Sequence, residues 1–252
     1  MACIFRGPAS TITCWLTVLP ALLFSALPSA MAQLYEQPVL VVDPGMHTSV
    51  IQTVGADAAG RFAATGSYDK TVRVWSMVDG KLLQTIHMPI GPGNVGATYA
   101  VAVNPDGNLV AVGGWTRWAA EKSEHPIYLF EWRTGKIAAR IDGLPNVTHC
   151  LAFSLDGRYL AAAVGINGLR IYDRDRQWTE VFRDTDYGDD IHGLAFARDG
   201  RLATTSFDNE VRLYGSDFKL AMALEVSPEG PSRSHSARTT QRWRLASKMR
   251  LR

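Results

Sequence analysis

A pattern that recurs four times along the chain constrains its fold more than any other feature. In each copy, short apolar runs are separated by turns such as Asp-Gly, and the third run closes on an aromatic residue. These aromatics are Trp75, Phe130, Tyr172 and Tyr214, spaced by 55, 42 and 42 residues. A period of roughly 40–45 residues built from short apolar runs predicts small β-sheets stacked side by side. Because no helical period is sustained after Ala32, we predict an all-β fold.

The best-preserved copy lies between Met46 and Ile86. Its His47, Asp69 and Trp75, followed by Gly80-Lys81, resemble a WD40 repeat, and the similarity extends over residues 38–226. The resemblance implies a WD40-type β-propeller with about four blades present.

The same resemblance implies a buried hydrogen-bonded set of polar side chains, because each buried polar group needs a partner. In the first copy the set is His47, Thr65 (or Ser67), Asp69 and Trp75. The fourth copy retains Thr204, Asp208 and Tyr214, whereas the second and third have Glu124 and Ile166 at the aspartate position. We interpret the set as structural, although these residue types would also suit a proton relay.

Four short stretches are similar to exported bacterial WD40 proteins, some of which carry a caspase-like peptidase domain in the same chain. They are Pro44–His47, Ile90–Asn94, Gly114–Thr116 and Leu144–Val147. No peptidase domain of this kind is recognisable in the sequence, so the resemblance implies no activity for this chain.

The first 32 residues have the pattern of a secretory signal peptide. Arg6 is followed by an apolar run from Thr11 to Leu27 and by the small-residue pattern Ala30-Met31-Ala32. We predict cleavage after Ala32, a periplasmic or secreted location and no stable membrane insertion afterwards. An uncleaved anchor helix is the alternative, but the run is short for a bilayer span and contains Pro20.

The blades are expected within residues 33–226, with a basic and disordered tail at residues 227–252. The tail is interpreted either as a contact for anionic surfaces or as sequence foreign to the propeller that follows a truncated repeat array. Gln37–Val41 resembles the outer strand of a blade, so four copies and this strand would suffice for a small ring. A truncated array would instead need partner blades, an oligomer to complete the ring, or a chaperone. The formal net charge of +2 is concentrated in this tail, so no nucleic-acid surface is expected.

An insertion in the second copy is the candidate binding loop. It contains Trp115, Trp118, Glu121 and His125 where the other copies have a tight turn. Loops on a rigid scaffold often carry function, and tryptophan is enriched in binding hot spots. The alternative is that the indoles merely cover the edge of a blade.

The sequence offers no metal-ligand spacing, no nucleophile motif and no cofactor fingerprint. The acidic stretch from Asp184 to Asp190 lacks the ligand alternation of a calcium loop. We therefore predict a non-enzymatic, exported scaffold without a cofactor that binds a protein or peptide. The alternative function is a propeller enzyme, or a regulatory part of a peptidase system, with its site in the central channel.

Overall fold

The computed structural model describes residues 43–89, 91–116 and 124–226. From Pro44 onward, the described residues belong to one compact unit. The predicted signal peptide at residues 1–32, the strand Gln37–Val41, the tail at residues 227–252, Trp118 and Glu121 lie outside the described residues.

The described residues form sixteen β-strands and two single turns of 3-10 helix, Gly165–Asn167 and Arg174–Arg176. In chain order the strands are β1 (Ile51–Ala56), β2 (Phe62–Ser67), β3 (Thr71–Ser76), β4 (Leu82–His87), β5 (Thr98–Val103), β6 (Leu109–Gly114), β7 (Ile127–Glu131), β8 (Lys136–Ile141), β9 (Thr148–Phe153), β10 (Tyr159–Val164), β11 (Leu169–Asp173), β12 (Thr179–Asp184), β13 (Ile191–Phe196), β14 (Leu202–Ser206), β15 (Glu210–Tyr214) and β16 (Leu220–Glu225). Within this part of the chain, no helix has the length and apolar character needed to cross a bilayer.

These strands build four antiparallel sheets of four strands, each following chain order: β1–β4, β5–β8, β9–β12 and β13–β16. We call the sheets blades 1 to 4. Such four-stranded meanders are the blades of a β-propeller, so the all-β, WD40-type fold expected from the repeat is confirmed.

The repeat marks two or three apolar runs per copy, whereas each blade has four strands. The residues of the fourth, outer strand are largely exposed in β8 and β16 and mostly half-buried in β4 and β12. An outer strand is less buried than the strands inside the blade, and so it lacks the continuous apolar run that marks them.

Polar side chains tie the first hairpins of blades 1 and 2. The Asp57 carboxylate accepts the backbone N–H groups of Arg61 and Phe62 at 2.6 and 2.9 Å. In blade 2 the Asn104 side-chain oxygen accepts those of Asn108 and Leu109 at 2.9 and 2.8 Å. These bonds satisfy turn N–H groups that have no partner in the sheet.

Three hydrophobic clusters hold the four blades together, one between each consecutive pair. In each cluster, the aromatic residue near the end of one blade's third strand packs towards the preceding blade. We call this side the leading face and the opposite side the trailing face. The trailing faces contribute aliphatic residues of the third strand: Val74 against Phe130, Leu129 against Tyr172, and Ile171 against Tyr214.

The innermost strands also pack in sequence: β1 against β5, β5 against β9, and β9 against β13. No comparable packing joins β13 to β1 in the described residues, and no fourth cluster lies between blades 4 and 1. The leading face of blade 1 and the trailing face of blade 4 therefore have no counterpart within this part of the chain.

Candidate binding face

The residues that resemble a WD40 set lie together on the leading face of blade 1. His47 Nδ1 is 2.8 Å from Asp69 Oδ2, and His47 Nε2 is 2.8 Å from Thr65 Oγ1. The Trp75 indole N–H donates to the same Thr65 oxygen at 2.8 Å. Thr65 rather than Ser67 occupies the second-strand position of the set, because Ser67 Oγ accepts the Asp69 amide at 3.1 Å instead.

The Asp69 carboxylate anchors this set to its turn. Burial alone would raise its pKa, but hydrogen bonds from Thr71, His47 and the Thr48 amide hold that pKa below its ordinary value. An ionised carboxylate, an imidazole, a hydroxyl and an indole thus satisfy one another. Each member of the set is thus engaged by another member or by the Asp69 turn, and the structural role stays a prediction.

Blade 4 has a related set, in which Tyr187 stands where blade 1 has His47. The Tyr187 hydroxyl lies 2.9 Å from Thr204 Oγ1 and 2.7 Å from the Tyr214 hydroxyl. Tyr214 donates to Asp184 at 2.8 Å. The sequence pattern predicts Asp208 in one set with Thr204 and Tyr214. Its Oδ2 instead accepts a hydrogen bond from Arg212 Nη1 at 2.8 Å.

Sequence reasoning missed Tyr187 and Asp184. A spacing signal was available, because Tyr187 precedes Thr204 by 17 residues and His47 precedes Thr65 by 18. A tyrosine in place of the expected histidine concealed the equivalence.

Five aromatic rings form a continuous row at the end of the blades where the first strands begin. The successive ring centroids are separated by 5.1 Å (Tyr68 to Tyr99), 6.0 Å (Tyr99 to His149), 5.2 Å (His149 to His192) and 4.0 Å (His192 to Phe207). The row crosses all four blades, and we call it the aromatic row.

A register irregularity explains the position of the three middle rings. Tyr99, His149 and His192 are each the second residue of a first strand, at the point where its pairing with the second strand shifts. A β-bulge at such a point redirects the side chain. The rings thereby meet their equivalents in the neighbouring blades.

Exposed side chains border the aromatic row at equivalent turns. Tyr68, Trp115 and Phe207 each follow the second strand of their blade, and all three are exposed. Ile166 is exposed in the corresponding turn of blade 3. We call these four residues the apolar rim.

The candidate loop of blade 2 begins on this rim. The Trp115 ring packs edge-on against His125 at 5.5 Å, and Thr116 Oγ1 donates to the Pro126 carbonyl at 2.6 Å. His125 is buried, so it supports Trp115 from beneath rather than facing a ligand. Of the loop residues singled out from the sequence, the structure brings these two together.

An acidic side chain, Asp190, lies beside the aromatic row on its blade 4 side. His149 Nε2 lies 3.6 Å from an Asp190 oxygen. Burial lowers the pKa of His149, and the Asp190 carboxylate only partly opposes this shift. Burial, together with the neighbouring Tyr68, raises the pKa of Tyr99 to about 12. Both shifts favour the uncharged forms of His149 and Tyr99.

The acidic stretch next to the row does not form a metal site. Among the described residues, no group of three or more His, Cys, Asp or Glu side chains is placed to hold a metal ion. Asp184 is engaged by Tyr214, and Asp190 lies beside His149.

A cavity of about 550 Å³ lies at the opposite end, where the first strands of all four blades finish. Its lining is mostly small and apolar, and among the described residues its charged side chains are Asp57 and Arg198. Asp57 is committed to its hairpin and to Arg61 at 2.9 Å, and Arg198 is exposed. Hydrogen bonds from Phe62 and Arg61 hold the pKa of Asp57 low against the opposing effect of burial.

Comparison with known proteins agrees with this architecture. Residues 43–76 match the family model described as WD domain, G-beta repeat. Small ribosomal subunit protein RACK1y of Oryza sativa subsp. japonica is 31% identical over 109 residues, covering 43% of this chain and 28% of that protein. Small ribosomal subunit protein RACK1 of Caenorhabditis elegans is 27% identical over 180 residues, covering 67% and 51%.

WD repeat-containing protein SL1-17 of Schistosoma mansoni is 25% identical over 169 residues, again covering 67% of this chain and 51% of the relative. The chain thus spans about half, or less, of the length of these curated relatives. It carries a WD40 repeat at residues 43–76 and arranges its described residues as four β-propeller blades.

Proposed function

We propose that this protein is an exported, non-enzymatic scaffold that binds a protein or peptide across its aromatic row. The observation that carries the proposal is the continuity of the row over four blades, bordered by the apolar rim. Clustered aromatic side chains supply large contact areas at low entropic cost, which is why they dominate binding hot spots.

The shape of this surface favours an extended ligand over a small molecule. The rings form a line of successive contacts on the surface rather than a closed pocket. A peptide or loop lying along the line would contact one ring in each of blades 1 to 3 and two rings in blade 4. The Asp190 carboxylate near His149 favours a ligand with basic or hydrogen-bond-donating groups at that end.

The alternative of an enzyme with a site in the central channel has weaker support. General acid–base chemistry needs titratable groups that are positioned and available. In the cavity the carboxylate of Asp57 is occupied by its own hairpin, and the other charged lining group, Arg198, is exposed. A regulatory role beside a peptidase is the second alternative, and it rests only on the four short stretches that resemble exported bacterial WD40 proteins.

Export is proposed from residues 1–32 alone. The experiment is to fuse these residues to a reporter that folds only outside the cytoplasm and to compare it with an Ala30→Gln, Ala32→Gln variant. We expect cleavage after Ala32 and reporter activity for the natural sequence, with cleavage lost in the variant. A reporter that stays inactive with the natural sequence would refute export.

Peptide binding is tested by selecting a phage-displayed library of random linear peptides against the full chain. The enriched peptides are then measured on Phe207→Ser and Tyr68→Ser, two exposed positions on the rim. We expect affinity to fall by roughly tenfold or more at each, as for aromatic hot spots. Val78→Ser, exposed in the β3–β4 hairpin of blade 1, is the control and should bind normally. Equal affinity for all three variants would refute the proposed face.

A further inference from the structure

The leading face of blade 1 is exposed at positions that are buried in the inner blades. Val54, Val101 and Leu151 occupy the same place in their first strands and face the same way. Val101 and Leu151 are 3% and 6% exposed because a preceding blade covers them, whereas Val54 is 68% exposed. Trp75 is likewise more exposed than its buried equivalents Phe130 and Tyr172.

The trailing face of blade 4 shows the complementary exposure. Ile86, Ile141 and Leu224 are equivalent residues of the outer strands, each paired with the start of the third strand. The first two are 3% and 5% exposed, whereas Leu224 is 44% exposed. Leu220 and Met222 of β16 are exposed as well, so an apolar strip runs along the strand.

The three clusters within the chain define how such faces associate. Each cluster joins a trailing face to the leading face of the next blade, and none joins two faces of the same kind. Polar contacts reinforce this arrangement, since Arg170 on the leading face of blade 3 donates to the Gly143 carbonyl of blade 2 at 3.2 Å. The two unpartnered faces are therefore a matched pair, one trailing and one leading.

We propose that a second copy of this chain covers these faces, with the trailing face of blade 4 in one copy packing on the leading face of blade 1 in the other. Two such contacts, related by a twofold axis, close a ring of eight blades from two sets of four. Eight blades lie within the range of about four to eight that propellers adopt, whereas three copies would exceed it.

This assembly assumes the four blades but does not depend on peptide binding. Neither Val54 nor Leu224 belongs to the aromatic row or the apolar rim. A peptide that still binds a monomeric variant would separate the two proposals, because failure of one leaves the other standing.

The test is the molar mass of the purified full chain, measured by light scattering and sedimentation over a range of concentrations. We expect a dimer for the natural sequence. Val54→Asp and Leu224→Asp should each weaken dimerisation by roughly tenfold or more, because each places an unpaired charge in both contacts. Val78→Asp, 87% exposed and outside both faces, is the matched control and should remain dimeric.

Mixing the two variants gives the sharpest outcome. In a mixed pair, one contact contains both aspartates and the other contains neither. We therefore expect the mixture to regain dimers that neither variant forms alone. A natural chain that stays monomeric at every concentration would overturn the proposal, for example because its own residues 33–42 cover Val54. A dimer unaffected by either variant, or a mixture that stays monomeric, would overturn it equally.

Discussion

Trp75, Thr65, His47 and Asp69 form a chain of hydrogen bonds that starts on a sheet and ends in a turn. Thr65 is its central link, since its hydroxyl contacts both the indole and the imidazole. Removing this oxygen leaves both the Trp75 indole and the His47 imidazole without that hydrogen-bond partner. The cost of an unmade buried hydrogen bond comes from desolvated groups left without a partner, so a central link should matter more than a terminal one.

Thr65→Val should lower the free energy of unfolding by about 1–3 kcal/mol, because the shape is kept and only the bonds are lost. Chemical denaturation of the full chain measures this change. Thr185→Val, at an exposed position, is the control and should have little effect. Equal stability of the two variants would show that the set contributes no stability through Thr65.

His149 gives the aromatic row a dependence on pH. Burial holds its folded pKa below the unfolded value of 6.5, with Asp190 opposing and with Tyr99 and His192 as ring neighbours. Between these two pKa values the unfolded chain binds more protons than the folded one. The stability of the fold is therefore expected to fall as the pH drops below about 6.5.

Thermal or chemical unfolding measured between pH 8 and pH 5 checks this expectation. His149→Phe keeps a ring in the row and removes the titrating group, so its stability should depend less steeply on pH. A variant with the same pH slope as the natural chain would assign that slope to other groups.

At the scale of strands, neighbouring blades approach closely because a glycine stands where a side chain would intrude. Gly113 at the end of β6 faces Thr148, the buried first residue of β9, and an added Cβ would lie 2.8 Å from the Thr148 Cβ. Gly66 bears the same relation to Thr98 one blade earlier. The inner strands of adjacent blades are positioned by these contacts.

Gly113→Ala should destabilise the fold by about 1–3 kcal/mol, as overpacking against a buried strand does. Gly215→Ala is the matched control, because the only atom that its added methyl would crowd is a carboxylate oxygen of the exposed Asp217 side chain, at 2.8 Å, and that side chain can rotate away. Chemical unfolding compares the two. A cost for Gly113→Ala no larger than that of the control would contradict this account of blade spacing.

The repeat predicted the blades because their inner strands are short, apolar and evenly spaced. The repeat did not mark these outer strands. The residues of β8, for example, do not alternate regularly between apolar and polar types, and too few of them are large and apolar for the strand to be recognised. Trp75 and its partners were predicted from the resemblance of the first copy to a WD40 repeat. The aromatic row was not, because its three middle rings, Tyr99, His149 and His192, are 50 and 43 positions apart and meet only through bulges in three different blades.

At the scale of the molecule, the two ends of the blades present different surfaces. One end has the aromatic row and the apolar rim, and the other has a cavity whose charged lining is engaged or exposed. The three inter-blade cores make this arrangement stiff enough to present rings from four blades as one surface. Recognition is thus expected to use all four blades together.

Hydrogen–deuterium exchange of the full chain, with and without an enriched peptide, tests this claim most directly. We predict slowed exchange in the turns that carry Tyr68, Trp115 and Phe207 and at the starts of β9 and β13, with exchange around the cavity unchanged. Slowed exchange confined to the cavity end, near Asp57 and Arg198, would contradict the account.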